Sequence, residues 1–495
     1  MASIPDECTV LVVGGGPAGS YAASALAREG IDVTLLEADV FPRYHIGEST
    51  LPSMRYFLRF IDCESKFDKH GFARKNGASF KFNSKPQAYT DFIARKGPGN
   101  SAWNVIRSEA DDILFRHAGE SGALIFDGVK ANSYTFAPES DRPVAATWSR
   151  KDGTSGTIRF KYLVDATGRA GLMSTKYLKN RNMNDSLKDG ATWGYWEGAE
   201  YPDGMKGKGD PISEAIGGGI GWVWAIPLHN GTISVGVVVN QERMTQIKRE
   251  LEISGQELYH RLIQRTGLIK ALLGKATLVS GIRSASDWSY SATSYAGPNW
   301  RIAGDAGCFI DPFYSSGIHL ALTGGLSAAL TISAAERGHC DSEHAARWHT
   351  AKVGDAYSRF LLVVSSSLKQ ISDREDPVLT AWEEENFDRA FDIFRPVIQG
   401  DADIGSEIIP VKDNAKVFDF CVHAILSQKT DNKAIEVDEL ADQLGLPGST
   451  ITYYLNKVVD VVQTNETGDI DDFSSGAFNG FSPVIQRGSL GLAKA

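Results

Sequence analysis

The chain has 495 residues, enough to bury a large core spread over two or three structural units. Its 61 acidic against 51 basic residues leave a net charge of −10, with no long run of either sign, which argues against nucleic acid or an anionic membrane as partner. Cys8, Cys63, Cys308, Cys340 and Cys421 are scattered and odd in number, so neither a metal-binding pair nor a disulfide framework is expected, and a reducing compartment fits. Met1 to Glu7 lack the basic start of a leader peptide. No apolar stretch approaches the roughly 18 residues of a membrane span. A soluble cytoplasmic protein is the expectation.

In chain order, Cys8–Val13 is a short apolar run of the kind that forms a buried parallel strand. Glycines follow, then an Ala-rich helix over Ser20–Glu29 closed by Gly30, then a second strand over Ile31–Leu36. Glu109–Gly119 reads as a helix and Leu124–Phe126 as a strand. Val144–Arg150 and Ile158–Val164 flank a polar turn at Asp152–Gly156, a hairpin signature. From Gly190 to Tyr290 short aromatic and β-branched runs predict a sheet-rich layer. Trp300–Ala303 returns to an apolar strand, followed by glycines and a helix over Ile318–Arg337. The pattern from Asp341 to Val462 is mainly helical, and the Gly/Ser-rich tail from Thr467 is expected to be mobile. These textures divide the chain into a nucleotide-binding part (1–180), a sheet-rich substrate part (181–298), a returning nucleotide segment (299–340), a helical part (341–465) and a tail (466–495).

Gly14-Gly15-Gly16-Pro17-Ala18-Gly19 matches GxGxxG between the first strand and its helix. Glycines there let the backbone turn tightly and approach a pyrophosphate, whose charge rests on the helix start. Glu37, at the end of the second strand, is placed to accept a hydrogen bond from an adenine ribose. Strand, glycine turn, helix and terminal acid together predict a bound dinucleotide.

Further along, Val164-Asp-Ala-Thr-Gly-Arg169 and Arg301-Ile-Ala-Gly-Asp-Ala-Gly307 resemble the two distal fingerprints of flavoprotein hydroxylases and their relatives. The resemblance implies FAD, with Asp305 on its ribityl chain. Gly221-Trp222-Val-Trp224-Ala-Ile226-Pro227 contains WxWxIP, and Phe309-Ile-Asp-Pro312-Phe-Tyr-Ser315-Ser-Gly317 fits FxxPxxSxG. On these two motifs the chain resembles the flavin-dependent halogenases from about Thr9 to Val462, most of all fungal enzymes acting on free phenolic polyketides. What this implies is an α/β fold: an FAD-binding βαβ unit of the flavoprotein-hydroxylase type, a sheet-rich substrate layer and a helical C-terminal region. Reduced FAD would come from a separate flavin reductase, and oxygen with chloride or bromide would yield hypohalous acid for an electron-rich aromatic ring.

Residue by residue, the resemblance puts the catalytic amine at Lys75, although a lysine is ordinarily a solvated surface residue. It adds Ala18, Arg43, Glu48, Arg107 and Ile318 to the cofactor contacts. Arg43 and Glu48 belong to the strap Phe41–Ser49, where His45 has either a structural or a general-base reading. Trp222, Trp224, Ile226 and Pro227 form a wall between flavin and substrate, since tryptophans two apart in a strand share a face. Ser316 and Gly317, at a helix start, are the halide cradle. The tryptophan-halogenase branch carries a glutamate where this chain has Tyr314, which favours a ring activated by its own hydroxyl over an indole; a ring tethered to a carrier protein is the alternative. Two other readings stay open. A phenol hydroxylase shares Gly14–Gly19, Asp165 and Asp305 without needing the later motifs and Lys75 together, and a non-catalytic flavoprotein needs none of the chemistry.

Overall fold

A computed structural model describes residues 3–82, 87–94, 96–372, 398–400, 407–408, 464–465, 473 and 477–495. β1 (Glu7–Val13), α1 (Pro17–Arg28) and β2 (Val33–Leu36) form the expected βαβ unit, β1 and β2 being parallel. α1 begins three residues before the sequence expectation because Pro17 occupies its first position, where a missing N–H costs nothing. α2 (Ser53–Phe60) and α3 (Glu64–His70) lead to β3 (Ala73–Lys75), β4 (Gly77–Lys81) and β5 (Ala88–Asp91), and β6 (Ala102–Asn104) pairs back onto β3. α4 (Arg107–Glu120), β7 (Leu124–Phe126), β8 (Val129–Phe136), β9 (Pro143–Arg150) and β10 (Ser155–Asp165) complete the first half, with β9 and β10 as the predicted hairpin.

β11 (Arg181–Glu197), β12 (Ile212–Ala215), β13 (Gly221–Pro227) and β14 (Ile233–Asn240) carry the chain into the second sheet. The layer is sheet-rich as expected, but it also holds helices: α5 (Gln241–Leu251), α6 (Gly255–Ile263) and α7 (Leu268–Leu272) intervene before β15 (Thr277–Leu278) and β16 (Arg283–Ala292). Their starts were legible, since Asn240 and Ser254 cap α5 and α6 through their side-chain oxygens. β17 (Ala296–Gly297), β18 (Trp300–Ile302), α8 (Ser316–Glu336) and α9 (Ser342–Ser372) follow. The remainder of the predicted helical stretch, to Val462, lies almost wholly outside the described residues.

The first sheet runs β17-β18-β10-β1-β2-β7, with β9 and β8 extending from β10. Along β1, Val10 and Val12 join the core under α1, α4 and α8, while Leu11 and Val13 join a second core with Phe126, Val129, Ala146 and Ile158. Both faces are covered, which is why this strand reads as continuously apolar. The second sheet runs β15-β11-β14-β13-β12-β4-β5, with β16 against β11. Val223 and Ala225 of β13 face a core shared with α6 and α7, and Trp222 and Trp224 face the opposite one, with Tyr314, Leu320 and Phe360.

The mobile-tail expectation is also corrected for residues 477–495. Phe481–Val484 and Gly491–Lys494 form a hairpin whose Phe478, Phe481, Leu490 and Leu492 are buried in the core around α1 and α8. α8 is long and apolar enough to cross a membrane, contrary to the reading of apolar runs, because its alanines, leucines and isoleucines are interrupted only by Gly, Ser, Thr and His319 before the closing Glu336. That helix is buried among α1, α2 and α9, as a core helix is.

Candidate active site

One cleft of about 830 Å³ opens between the two sheets. It is lined by Gly14, Gly16, Ala18 and Glu37 of the nucleotide layer and also by Lys75, Phe80, Trp222 and Tyr314. The glycines of the first turn have different reasons to be glycine. Gly14 has φ +108°, and a Cβ there would lie 2.1 Å from Ala166 O; one on Gly19 would lie 1.9 Å from Gly14 O. Gly15 is closed off by Phe115 and Glu37. Gly16 is different: its φ of −72° suits any residue, and a Cβ would meet nothing nearer than Arg43 Nη2 at 3.5 Å. The fold does not require glycine at 16, whereas a dinucleotide pressed against the start of α1 does. This open cradle fits FAD.

Glu37 follows β2 directly and is buried, with Oε2 2.5 Å from Gly15 N and Oε1 3.0 Å from Asp39 N. Arg43 and Arg107 converge on Asp111: Arg43 Nη1 donates at 3.0 Å, Arg107 Nε at 2.8 Å and Arg107 Nη2 at 2.9 Å. Burial works against the Asp111 carboxylate, but the two guanidinium groups outweigh it and hold the group below the usual range. Asp111 was not singled out from sequence, although its i,i+4 spacing from Arg107 on a helix was a readable signal. Arg107 Nη1 also donates to Ile46 O at 2.8 Å, tying α4 to the strap. In that strap His45 is pushed down to about 4, first by the Arg107 guanidinium, and sits 2.6 Å from Ile46 O, so it is neutral at ordinary pH. Glu48 is buried, accepts from Tyr195 Oη at 2.6 Å and leaves Oε2 without a partner; burial raises its pKa. Asp305, Ile318 and Arg43 line the same cleft. Asp165 lies beneath it, accepting from Thr167 N, Thr167 Oγ1 and Met173 N, and so pins the loop that lines the cleft.

Lys75 is 2 % exposed. Its Nζ donates to Thr50 O at 2.8 Å and lies 5.2 Å from the centre of the Phe92 ring. Burial pushes the amine down to about 7, with Asp210 pulling the other way. Asp210 accepts from Asn76 N and from Tyr89 Oη, both at 2.7 Å. Nothing in the sequence pointed to Asp210, because its neighbourhood is made by pairing β4 with β12.

Trp222, Trp224 and Ile226 alternate onto one face of β13, and Pro227 ends it. Trp222 stands edge-on to Phe313 at 4.8 Å, and Trp224 donates from Nε1 to Ser234 Oγ at 3.2 Å. At the start of α8, Gly317 lines the cleft with nothing within 4 Å of a built Cβ. Ser316 is buried and its side chain is not part of the lining; the serine that is exposed to the cleft is Ser315, at φ +59°. Tyr314 Oη is 2.6 Å from Ser367 Oγ.

The FAD binding domain family model matches residues 7–352. The flavin-dependent halogenase ascD of Acremonium egyptiacum is 50% identical, over 100% of this chain and 94% of its own. The chain belongs to the flavin-dependent halogenases. The sulochrin halogenase gedL of Aspergillus terreus is also 50% identical, over the same shares of both chains. Among solved structures, the myxobacterial chondrochloren halogenase CndH superposes with a TM-score of 0.69 at 27% identity, covering 86% of this chain and 99% of its own. This halogenase is therefore an oxidoreductase that uses FAD and a halide on an aromatic small molecule.

Proposed function

We propose that this halogenase acts on a free phenolic ring and that Lys75 delivers the halogen to it. The observation that carries this reading is the buried amine of Lys75 in the same cleft as the Gly16 cradle, a cleft also lined by Phe80, Trp222, Trp224 and Phe313. Reduced FAD, when bound, supplies with oxygen the oxidation that turns halide into hypohalous acid. Gly14, Gly16, Gly19, Glu37, Arg43, Arg107 and Asp305 hold the cofactor, with Gly15, Ala18, Glu48 and Ile318 completing the contacts. Backbone N–H groups at Ser316 and Gly317 draw the halide to the start of α8. Trp222, Trp224, Ile226 and Pro227 keep the ring away from the flavin. Lys75 Nζ takes up the hypohalous acid and directs its halogen to a ring carbon, where it replaces hydrogen while the oxygen leaves as water.

Three features support a phenol. Tyr314 spends its hydroxyl on Ser367, and burial raises its pKa, so it offers no base to an unactivated ring. The surrounding wall of Phe80, Phe313 and Trp222 is aromatic. The half-identical relative gedL is named for sulochrin. The single GxGxxG is occupied by FAD in this reading, so reduced flavin comes from a separate reductase. The test is product mass spectrometry with FAD, a flavin reductase and chloride or bromide, offering free phenols and carrier-bound acyl rings in parallel. Halogenated free phenols are expected; turnover confined to carrier-bound rings, or oxygenated products without halogen, overturns the reading.

A further inference from the structure

Away from the cleft, three potential metal ligands meet from three separate elements. His70 ends α3, Glu109 is in the first turn of α4, and His229 sits in the turn between β13 and β14. Their donor atoms all lie within 4.8 Å of one another. Glu109 Oε2 is 2.6 Å from His70 Nε2 and 3.1 Å from His229 Nε2. The ring of Phe72 packs 4.3 Å from the His70 ring and 5.3 Å from the His229 ring, which fixes both imidazoles. Cysteine spacing led to the expectation of no metal, but these ligands are far apart in sequence, and only the docking of the two sheets assembles them.

We propose that His70, Glu109 and His229 form a binding site for a divalent transition ion such as zinc. Two imidazole nitrogens and one carboxylate oxygen are a common protein share of a tetrahedral zinc shell, leaving one position for water. Bonds of about 2.0–2.2 Å put tetrahedral ligands about 3.3 Å apart. The two carboxylate–imidazole spacings, 2.6 and 3.1 Å, need an opening of less than an ångström to admit the ion. All three side chains are solvent-accessible, so the ion has an entry path. Its placement has a consequence for the cleft. α4 begins at Arg107, on the flavin side, and β13 carries the tryptophan wall, so the ion ties those two elements together from outside.

The test uses the tag-free, FAD-loaded full chain, dialysed against chelator and titrated with zinc chloride by calorimetry. One ion per chain is expected. Glu109→Gln keeps the shape of the side chain, and His70→Asn alters a surface position, so both variants retain the fold; each should weaken zinc binding at least tenfold. His344→Asn, which removes a histidine paired with Asp341 elsewhere on the surface, should leave it unchanged. No saturable binding, or an affinity in Glu109→Gln and His70→Asn equal to the parent's, overturns the proposal and leaves a hydrogen-bonded cluster only.

Discussion

At the scale of single residues, the buried amine of Lys75 ties activity to stability. Folding moves it from about 10.4 in an open chain to about 7, chiefly through burial. Between those values the folded protein binds fewer protons than the unfolded one, so this group makes stability rise as pH climbs from 7 to 10. Lys75→Met cannot titrate. Its stability relative to the parent should therefore fall across that window, as read by thermal unfolding at several pH values; a constant gap would show that the amine is not desolvated as described. The same position separates two events in catalysis. Lys75→Ala should leave oxygen consumption by reduced FAD intact and lower halogenated product roughly a hundred- to ten-thousand-fold. The two open glycines invite a paired comparison. Gly16→Val should fold and lose FAD affinity at least tenfold in a fluorescence titration, whereas Gly317→Val should keep FAD and raise the halide concentration needed for turnover. Normal flavin binding by the first variant, or unchanged halide dependence in the second, would relocate the respective ligand.

Among the elements, β13 shows how closely the wall is fitted. Trp224 pairs with Gly236 of β14, and its ring covers that glycine so tightly that a Cβ there would lie 2.0 Å from it. Gly236→Ala must move the indole, at a cost of roughly 1–3 kcal/mol, and calorimetric unfolding should show a lower midpoint; an unchanged midpoint would mean the indole has room to spare. The alternation of β13 was legible from WxWxIP because a strand has period two. The βαβ unit was legible because its strand is buried on both faces and its glycines mark the turn. α5 was only half legible: Asn240 marks its start, but it buries no residue fully, and Met244 and Ile247, which pack against the core shared with α6 and α7, make too narrow a stripe to outweigh the strand-rich texture around it. The Lys75–Asp210 neighbourhood was not legible, because it depends on a parallel pairing of β4 with β12 that leaves no local pattern. The placement of Ser316 fell between: the helix start was readable, but which side chain would face the cleft was decided by the left-handed turn at Ser315.

For the molecule as a whole, the hairpin at 481–494 is part of the nucleotide layer. Glu29, at the end of α1, accepts from Gly488 N at 2.9 Å and Leu490 N at 3.1 Å and pairs with Arg337 at 2.7 Å. Trp348 Nε1 donates to Phe481 O, and Arg487 holds Phe60 O and Asp62 at the end of α2. Removing residues 477–495 exposes the faces against which Phe478, Phe481, Ile485, Leu490 and Leu492 are buried. At roughly 1.5–3 kcal/mol for each large side chain, the loss is comparable with the whole stability of an ordinary domain. The shortened chain should therefore fail to unfold cooperatively or to retain flavin on gel filtration; a sharp transition near the parent midpoint would show the hairpin to be dispensable.

The closing contacts of α1 also set an order of events during synthesis. The βαβ unit leaves the ribosome long before the hairpin, yet the apolar surface it shares with residues 478–492 is not complete until those residues have been made. An early layer is thus completed by a late segment, and in between the nascent chain carries an open greasy flank that chaperones can bind.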